Sequence, residues 1–220
     1  LHETLNRRCG LFDGTLGLWK GSSYKIELRD DVKPHHARPY GIPHAYEHTF
    51  KREVERLCEV GVLRKINRSE WAAPTFLIPK KDRTVRFISD FCELNKHIKR
   101  KTYPIPKIQD LLLKLEGFQY ATSLDLNMGY YHIKLDPESS RLCTIVLPWG
   151  MYEYLKLPMG LCNSPDIFQE KINELFAGFD YVRAYIDDLL KITKGSFKEH
   201  LKQLDTVLEK LETAGLKINA

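Results

Sequence analysis

The 220 residues are 43% hydrophobic and 29% charged, enough apolar mass for a buried core and the balance of a folded protein in water. The net charge of +5 is uneven: residues 51–101 hold fourteen Lys and Arg against seven Asp and Glu, a local +7 that leaves about −2 for the rest. No apolar stretch reaches the ~20 residues of a bilayer crossing and no basic-then-apolar secretion signal opens the chain, so a soluble, intracellular protein with no membrane partner is expected.

Residues 1–43, with LFDGTLG and then KPHHARPYGIP, read as an irregular arm or linker broken by glycine and proline. From His44 to Val60, apolar Phe50, Val54, Leu57 and Cys58 recur at helical spacing, and Gly61 stands at the C-cap position. TFLIP and TVRFISD flank the polar PKKDR and predict a hairpin with a basic tip. IPKIQDLLLKLEG predicts a helix closed by Gly117. Four β-type runs follow: YATSLDL, YYHIKL, RLCTIVL and MYEYLKL. Ser164 as N-cap with Pro165 in the first turn predicts a helix, with Ile167, Phe168, Ile172, Leu175 and Phe176 as its stripe and Gly178 at its end. YVRAYI and LLKIT form a second hairpin with Asp187 and Asp188 at its bend. Ser196 and Glu199 make a capping box for a last helix through Leu201, Leu204, Leu208 and Leu211, ended by Gly215. Helices packed on a mainly antiparallel sheet make an α+β protein. The five cysteines, Cys9, Cys58, Cys92, Cys143 and Cys162, are scattered without a CxxC pair and read as reduced thiols.

YIDDLL sets two adjacent carboxylates between apolar runs. Such charges repel and resist ionisation unless a cation compensates them, and Mg²⁺ prefers carboxylate and phosphate oxygens. The same string also reads as a solvated turn. Asp125, 62 positions before Asp187, ends another β-run between leucines. Two edges of one sheet would gather Asp125, Asp187 and Asp188 into the acidic cluster that two ions about 4 Å apart need for phosphoryl displacement. The basic lobe suits a polyanion, because Lys and Arg displace counterions from phosphates, although on charge alone the solvated charged surface is the commoner reading.

The ordered strings WAAPTFLIPKKD, VRFISDFCELN, YPIPKIQDLL, ATSLDLNMGYYHIKL, LPMGLCNSPDIFQ, AYIDDLL and EHLKQLDTVLEKL run nearly end to end. Together they resemble the reverse transcriptases of gypsy-class long-terminal-repeat retrotransposons. The resemblance implies a right-hand polymerase, with fingers at 51–99 and 133–162, palm at 100–132 and 163–220, and an arm at 1–50. It implies a fragment of a polyprotein that stops before the thumb, acting in the cytoplasm, a virus-like particle or the nucleus. The implied reaction is RNA- and DNA-directed DNA synthesis with two Mg²⁺ ions, or Mn²⁺, on an RNA template and DNA primer/template with deoxynucleoside triphosphates. Asp125, Asp187 and Asp188 would be catalytic and hold the metals together with Leu126, which would also offer a backbone contact to phosphate. Lys80 or Lys81 and Arg86 would hold the triphosphate, Tyr130 would close off the sugar's 2′ position, and Met159 would pack against the incoming nucleotide. Two positions depart from the family pattern: Cys92 replaces a usual arginine, and Arg83 a usual turn glycine. These departures keep open a second expectation, an inactive remnant that binds nucleic acid without extending a primer.

Overall fold

The computed structural model describes residues 1–79, 85–106 and 117–219. In chain order the first elements are α1 (His2–Arg7), a 3-10 turn at Cys9–Phe12, α2 (His44–Glu59), β1 (Leu63–Ile66), β2 (Ala73–Pro79), β3 (Val85–Ser89) and α3 (Cys92–His97). After them come β4 (Tyr120–Asp125), a 3-10 turn at Gly129–His132, α4 (Pro137–Leu142), β5 (Thr144–Leu147) and β6 (Gly150–Tyr154). The last are α5 (Ser164–Leu175), β7 (Val182–Tyr185), β8 (Asp188–Thr193) and α6 (Phe197–Ala214). The chain divides into two compact units, one of Leu1–Gly21, Lys101–His132 and Pro165–Ala220, the other of Ser22–Arg100 and Ile133–Ser164.

The second unit is built on a five-stranded sheet in the order β1-β6-β5-β2-β3, antiparallel throughout except where β2 runs parallel to β5. Helix α2 lays Phe50, Val54 and Leu57 into its core. Phe50 meets Phe87 and Trp149 at ring distances of 5.1 and 5.6 Å, and each such buried side chain contributes about 1.5–3 kcal/mol. The expected hairpin is present as β2 and β3, with Thr75 opposite Ser89 and Ile78 opposite Arg86. Its tip, with Lys80, Lys81 and Arg83, lies outside the described residues.

The first unit carries an antiparallel sheet in the order β4-β8-β7. Helix α6 buries Leu204, Val207, Leu208 and Leu211. Its capping box is complete: the Glu199 amide donates to Ser196 Oγ, the Ser196 amide donates to Glu199 Oε2, and Gly215 closes the helix at φ 82°. Helix α5 buries Ile167, Phe168, Gln169 and Ile172. The helix expected over IPKIQDLLLKLEG falls mostly on residues 107–116, outside the described residues. Among the described residues no helix is long and apolar enough to cross a membrane.

Several expectations are corrected. YYHIKL is a 3-10 turn followed by isolated bridges, because Tyr130, Tyr131 and His132 are all buried and no alternation of faces exists for a strand to use. The start of RLCTIVL closes α4, which begins at Pro137 with Asp136 Oδ1 accepting the Ser139 amide at 2.7 Å. The Asp-Pro start signal was there and outweighs the β-rich composition. Ser164 does not cap α5, since its hydroxyl donates to the Pro158 carbonyl at 2.8 Å. The N-terminal stretch is not wholly irregular. Helix α1 and the 3-10 turn belong to the first unit, where Leu18 and Lys20 amides donate to the Gly215 and Ala214 carbonyls.

Candidate active site

Strand register sets the three aspartates at one end of the sheet. Pairing of β4 with β8 sets Asp125 opposite Asp188, one step beyond the buried pair Leu124 and Leu189, and pairing of β8 with β7 sets Asp188 opposite Tyr185. Like charges directly opposite one another destabilise a sheet, so the leucines anchor a repulsive edge. The bend of the hairpin is Ile186 and Asp187, with Asp188 already the first residue of β8. That shifts the expected bend, Asp187 and Asp188, by one residue.

Ile186 sits at φ 52°, a left-handed conformation that strains a β-branched residue by about 1–3 kcal/mol. Gln169 holds it there. This side chain, at 0% exposure on α5, accepts from the Ile186 amide at 2.8 Å and donates to the Ala184 carbonyl at 3.1 Å. The Leu126 amide donates to the Asp187 carbonyl at 2.9 Å, tying the bend to the end of β4. Leu126 was expected both among the metal-holding residues and as a backbone contact to phosphate. Because its amide proton is already given, what its backbone can offer is the carbonyl oxygen, a ligand for a cation.

Asp187 leans on Gly129. A Cβ at position 129 would fall 2.2 Å from Asp187 Oδ1 and 2.9 Å from Phe168 Cζ, so only glycine fits. Asp187 Oδ1 is buried without a hydrogen-bond partner, and burial, then Asp125 and then Asp188, push its carboxyl pKa up to about 6. An orphaned buried acceptor costs about 1–3 kcal/mol. Asp125 Oδ2 accepts from Asn219 Nδ2 at 3.3 Å. Hard oxygen donors, an unpartnered oxygen and mutual repulsion fit a divalent cation at this edge. Among the described residues no three His, Cys, Asp or Glu side chains stand gathered closely enough to hold an ion. Three carboxylates repel, and a cation is what would draw them together.

Tyr130 follows Gly129, 8% exposed, its ring edge-on to Phe168 at 5.4 Å. Burial, then the charge of Asp187, raises its hydroxyl pKa above the ordinary value. In the second unit, Arg86 is exposed on β3 and Met159 is 49% exposed. Lys80 and Lys81 lie outside the described residues. Cys92 opens α3, exposed, its amide donating to Asp90 Oδ1 at 3.0 Å. Gln169, Gly129 and Asn219 were not read as site residues from the sequence. A glutamine on the buried stripe of α5, one residue after Phe168, was the legible signal for the first.

Residues 78–220 match the family model described as reverse transcriptase (RNA-dependent DNA polymerase). The chain is 33% identical over 202 residues to the transposon Tf2-3 polyprotein of Schizosaccharomyces pombe, an alignment covering 91% of this chain and 15% of the polyprotein. The Tf2-7 polyprotein of the same organism is 32% identical over the same extent. The chain thus spans about 15% of the length of these curated relatives. The solved prototype foamy virus protease-reverse transcriptase superposes with a TM-score of 0.90 at 26% identity, covering 99% of this chain and 29% of that one. The foamy viral protease-reverse transcriptase in complex with an RNA/DNA hybrid gives a TM-score of 0.91 at 24% identity, with the same coverage. The expected α+β fold of a right-hand polymerase is the fold observed.

Proposed function

Because the chain belongs to the reverse transcriptase family of RNA-dependent DNA polymerases, we propose that it extends a DNA primer on RNA and DNA templates, with Asp125, Asp187 and Asp188 holding two Mg²⁺ or Mn²⁺ ions. The observation that carries this reading is the orphaned, buried Asp187 Oδ1 beside Asp125 and Asp188, a site whose charge calls for cations. When bound, such ions activate the primer 3′-hydroxyl and neutralise the triphosphate.

The chain's own residues do the rest. Asp187 and Asp125 are oriented by the Gln169 clamp on the bend, the Gly129 seat and the Asn219 hydrogen bond. Arg86, with Lys80 or Lys81, binds triphosphate oxygens by charge-assisted hydrogen bonds. Tyr130, fixed against Phe168, stands at the sugar's 2′ position and excludes a ribose hydroxyl. Met159 presents an exposed, flexible apolar surface to the nucleotide. The foamy viral enzyme has been solved with an RNA/DNA hybrid and with dsDNA, the class of partner proposed here.

The test is extension of a DNA primer on an RNA template with Mg²⁺ or Mn²⁺, wild type against Asp187→Asn. Extension that stops in the variant is expected; extension that survives it overturns the mechanism. RNA retained by wild type with no extension under either metal would favour the binding-only reading.

A further inference from the structure

His132 is completely buried, and an imidazole in such a place needs partners for both ring nitrogens. Nδ1 lies 2.9 Å from the Gly129 carbonyl oxygen, and Nε2 lies 3.3 Å from the Lys217 backbone nitrogen. A carbonyl only accepts and an amide only donates, so the neutral tautomer with its proton on Nδ1 is fixed. The His132 carbonyl accepts from the Trp19 amide at 2.8 Å. Gly17 lies flat on the ring, for a Cβ there would come within 2.3 Å of His132 Cδ2.

Each bond of the imidazole leads to a different aspartate. Gly129 is the backbone on which Asp187 Oδ1 rests. Lys217 leads to Asn219, whose amide donates to the Asp125 carbonyl at 2.8 Å and whose side chain donates to Asp125 Oδ2 at 3.3 Å. His132 is thus linked through Gly129 to the seat of Asp187 and through Lys217 and Asn219 to Asp125.

We propose that His132 is a positioning residue for the cation-binding aspartates, its two-sided imidazole setting the spacing between the Gly129 backbone under Asp187 and the Lys217–Asn219 segment beside Asp125. The kinetic consequence rests on the polymerase reading above; the metal-binding consequence does not. Displacements of the order of 1 Å in such a frame lower rates by about 10²-fold.

The test uses the whole chain with His132→Leu, which removes both bonds, and His132→Gln, whose amide can donate to Gly129 and accept from Lys217. Three readouts are taken: melting temperature, Mn²⁺ affinity from the electron paramagnetic resonance of free Mn²⁺, and kcat and KM for deoxynucleotide on a primed RNA template. Expected for folded His132→Leu are Mn²⁺ binding weakened several-fold, kcat lowered about 10–100-fold and KM within about twofold. His132→Gln is expected to recover most of each. If His132→Leu does not fold, His132→Asn replaces it, being too short to span both partners. Unchanged Mn²⁺ affinity in the folded variant, no recovery with glutamine, or a wild type that binds no Mn²⁺ overturns the proposal. Mn²⁺ affinity lost in the variant and recovered with glutamine, with no primer extended by any form, sustains the positioning role and overturns the polymerase reading instead.

Discussion

A neutral side chain at position 187 removes the repulsion from Asp125 and Asp188 while keeping the shape of the carboxylate. With chelator present, Asp187→Asn is therefore expected to melt above wild type at pH 7.5. The sign follows from linkage: the folded carboxyl titrates at about 6 and an unfolded one near 4, so the folded state is penalised above pH 6 and unpenalised below 4. The advantage of asparagine should shrink as pH falls through that window. An advantage independent of pH would show that the charge is not its source. Gly129→Ala puts a methyl where Asp187 Oδ1 and Phe168 already stand. Overpacking of this kind costs about 1–3 kcal/mol, and the displaced carboxylate should lower primer extension by about 10²-fold, measured beside a urea melt.

At the scale of elements, the β7–β8 bend is strained and depends on a helix remote in sequence. Gln169→Leu keeps the volume but leaves the Ile186 amide and Ala184 carbonyl without their partner, a loss of about 1–3 kcal/mol by urea denaturation. A second buried polar group fastens α6 to β8. Lys191 Nζ donates to His200 Nδ1 at 2.9 Å and lies over the Tyr181 ring, and His200 Nε2 donates to Thr122 Oγ1 at 2.8 Å. Burial lowers the Lys191 ammonium to about 8, and burial and then Lys191 lower His200. Between pH 8 and 10.5 the unfolded lysine binds more proton than the folded one, so wild type should gain stability relative to Lys191→Met across that interval. Parallel melting curves of the two proteins from pH 8 to 10.5 would contradict this. These clamps also explain which elements were legible. The capping box of α6 and the stripe of α2 are local, so periodicity and caps revealed them. YYHIKL has strand composition, yet the burial of Tyr130 and His132 is settled by Phe168, Gly17 and the Lys217 amide, none of them near it in the sequence.

Within the first unit, residues 1–21 brace the end of the chain. Arg8 pairs with Asp205, Glu209 and Glu212 of α6, Leu11 is 1% exposed and its carbonyl accepts from Ile218, and Lys217 Nζ donates to Asp13 Oδ2, holding that carboxyl down to about 2. Removing residues 1–21 is expected to lower the melting temperature, on the order of 5 °C for the loss of a couple of kcal/mol in a chain this size, and to speed amide exchange at Ile218 and Asn219. Unchanged exchange there would show that the segment is only a tether.

The sequence by itself determined the helices with strong stripes and caps, the hairpins and the α+β class, and it singled out the three aspartates as candidates, because each is written in neighbouring residues or in ordered strings. Only the tertiary structure decided that Asp188 faces Asp125 across a strand pair, that Asp187 Oδ1 is buried and unpartnered, and that Gln169, Gly129 and His132 hold the bend and its flanks. Those are matters of register and burial. They depend on segments tens of residues apart arriving at one sheet edge, which no local period encodes.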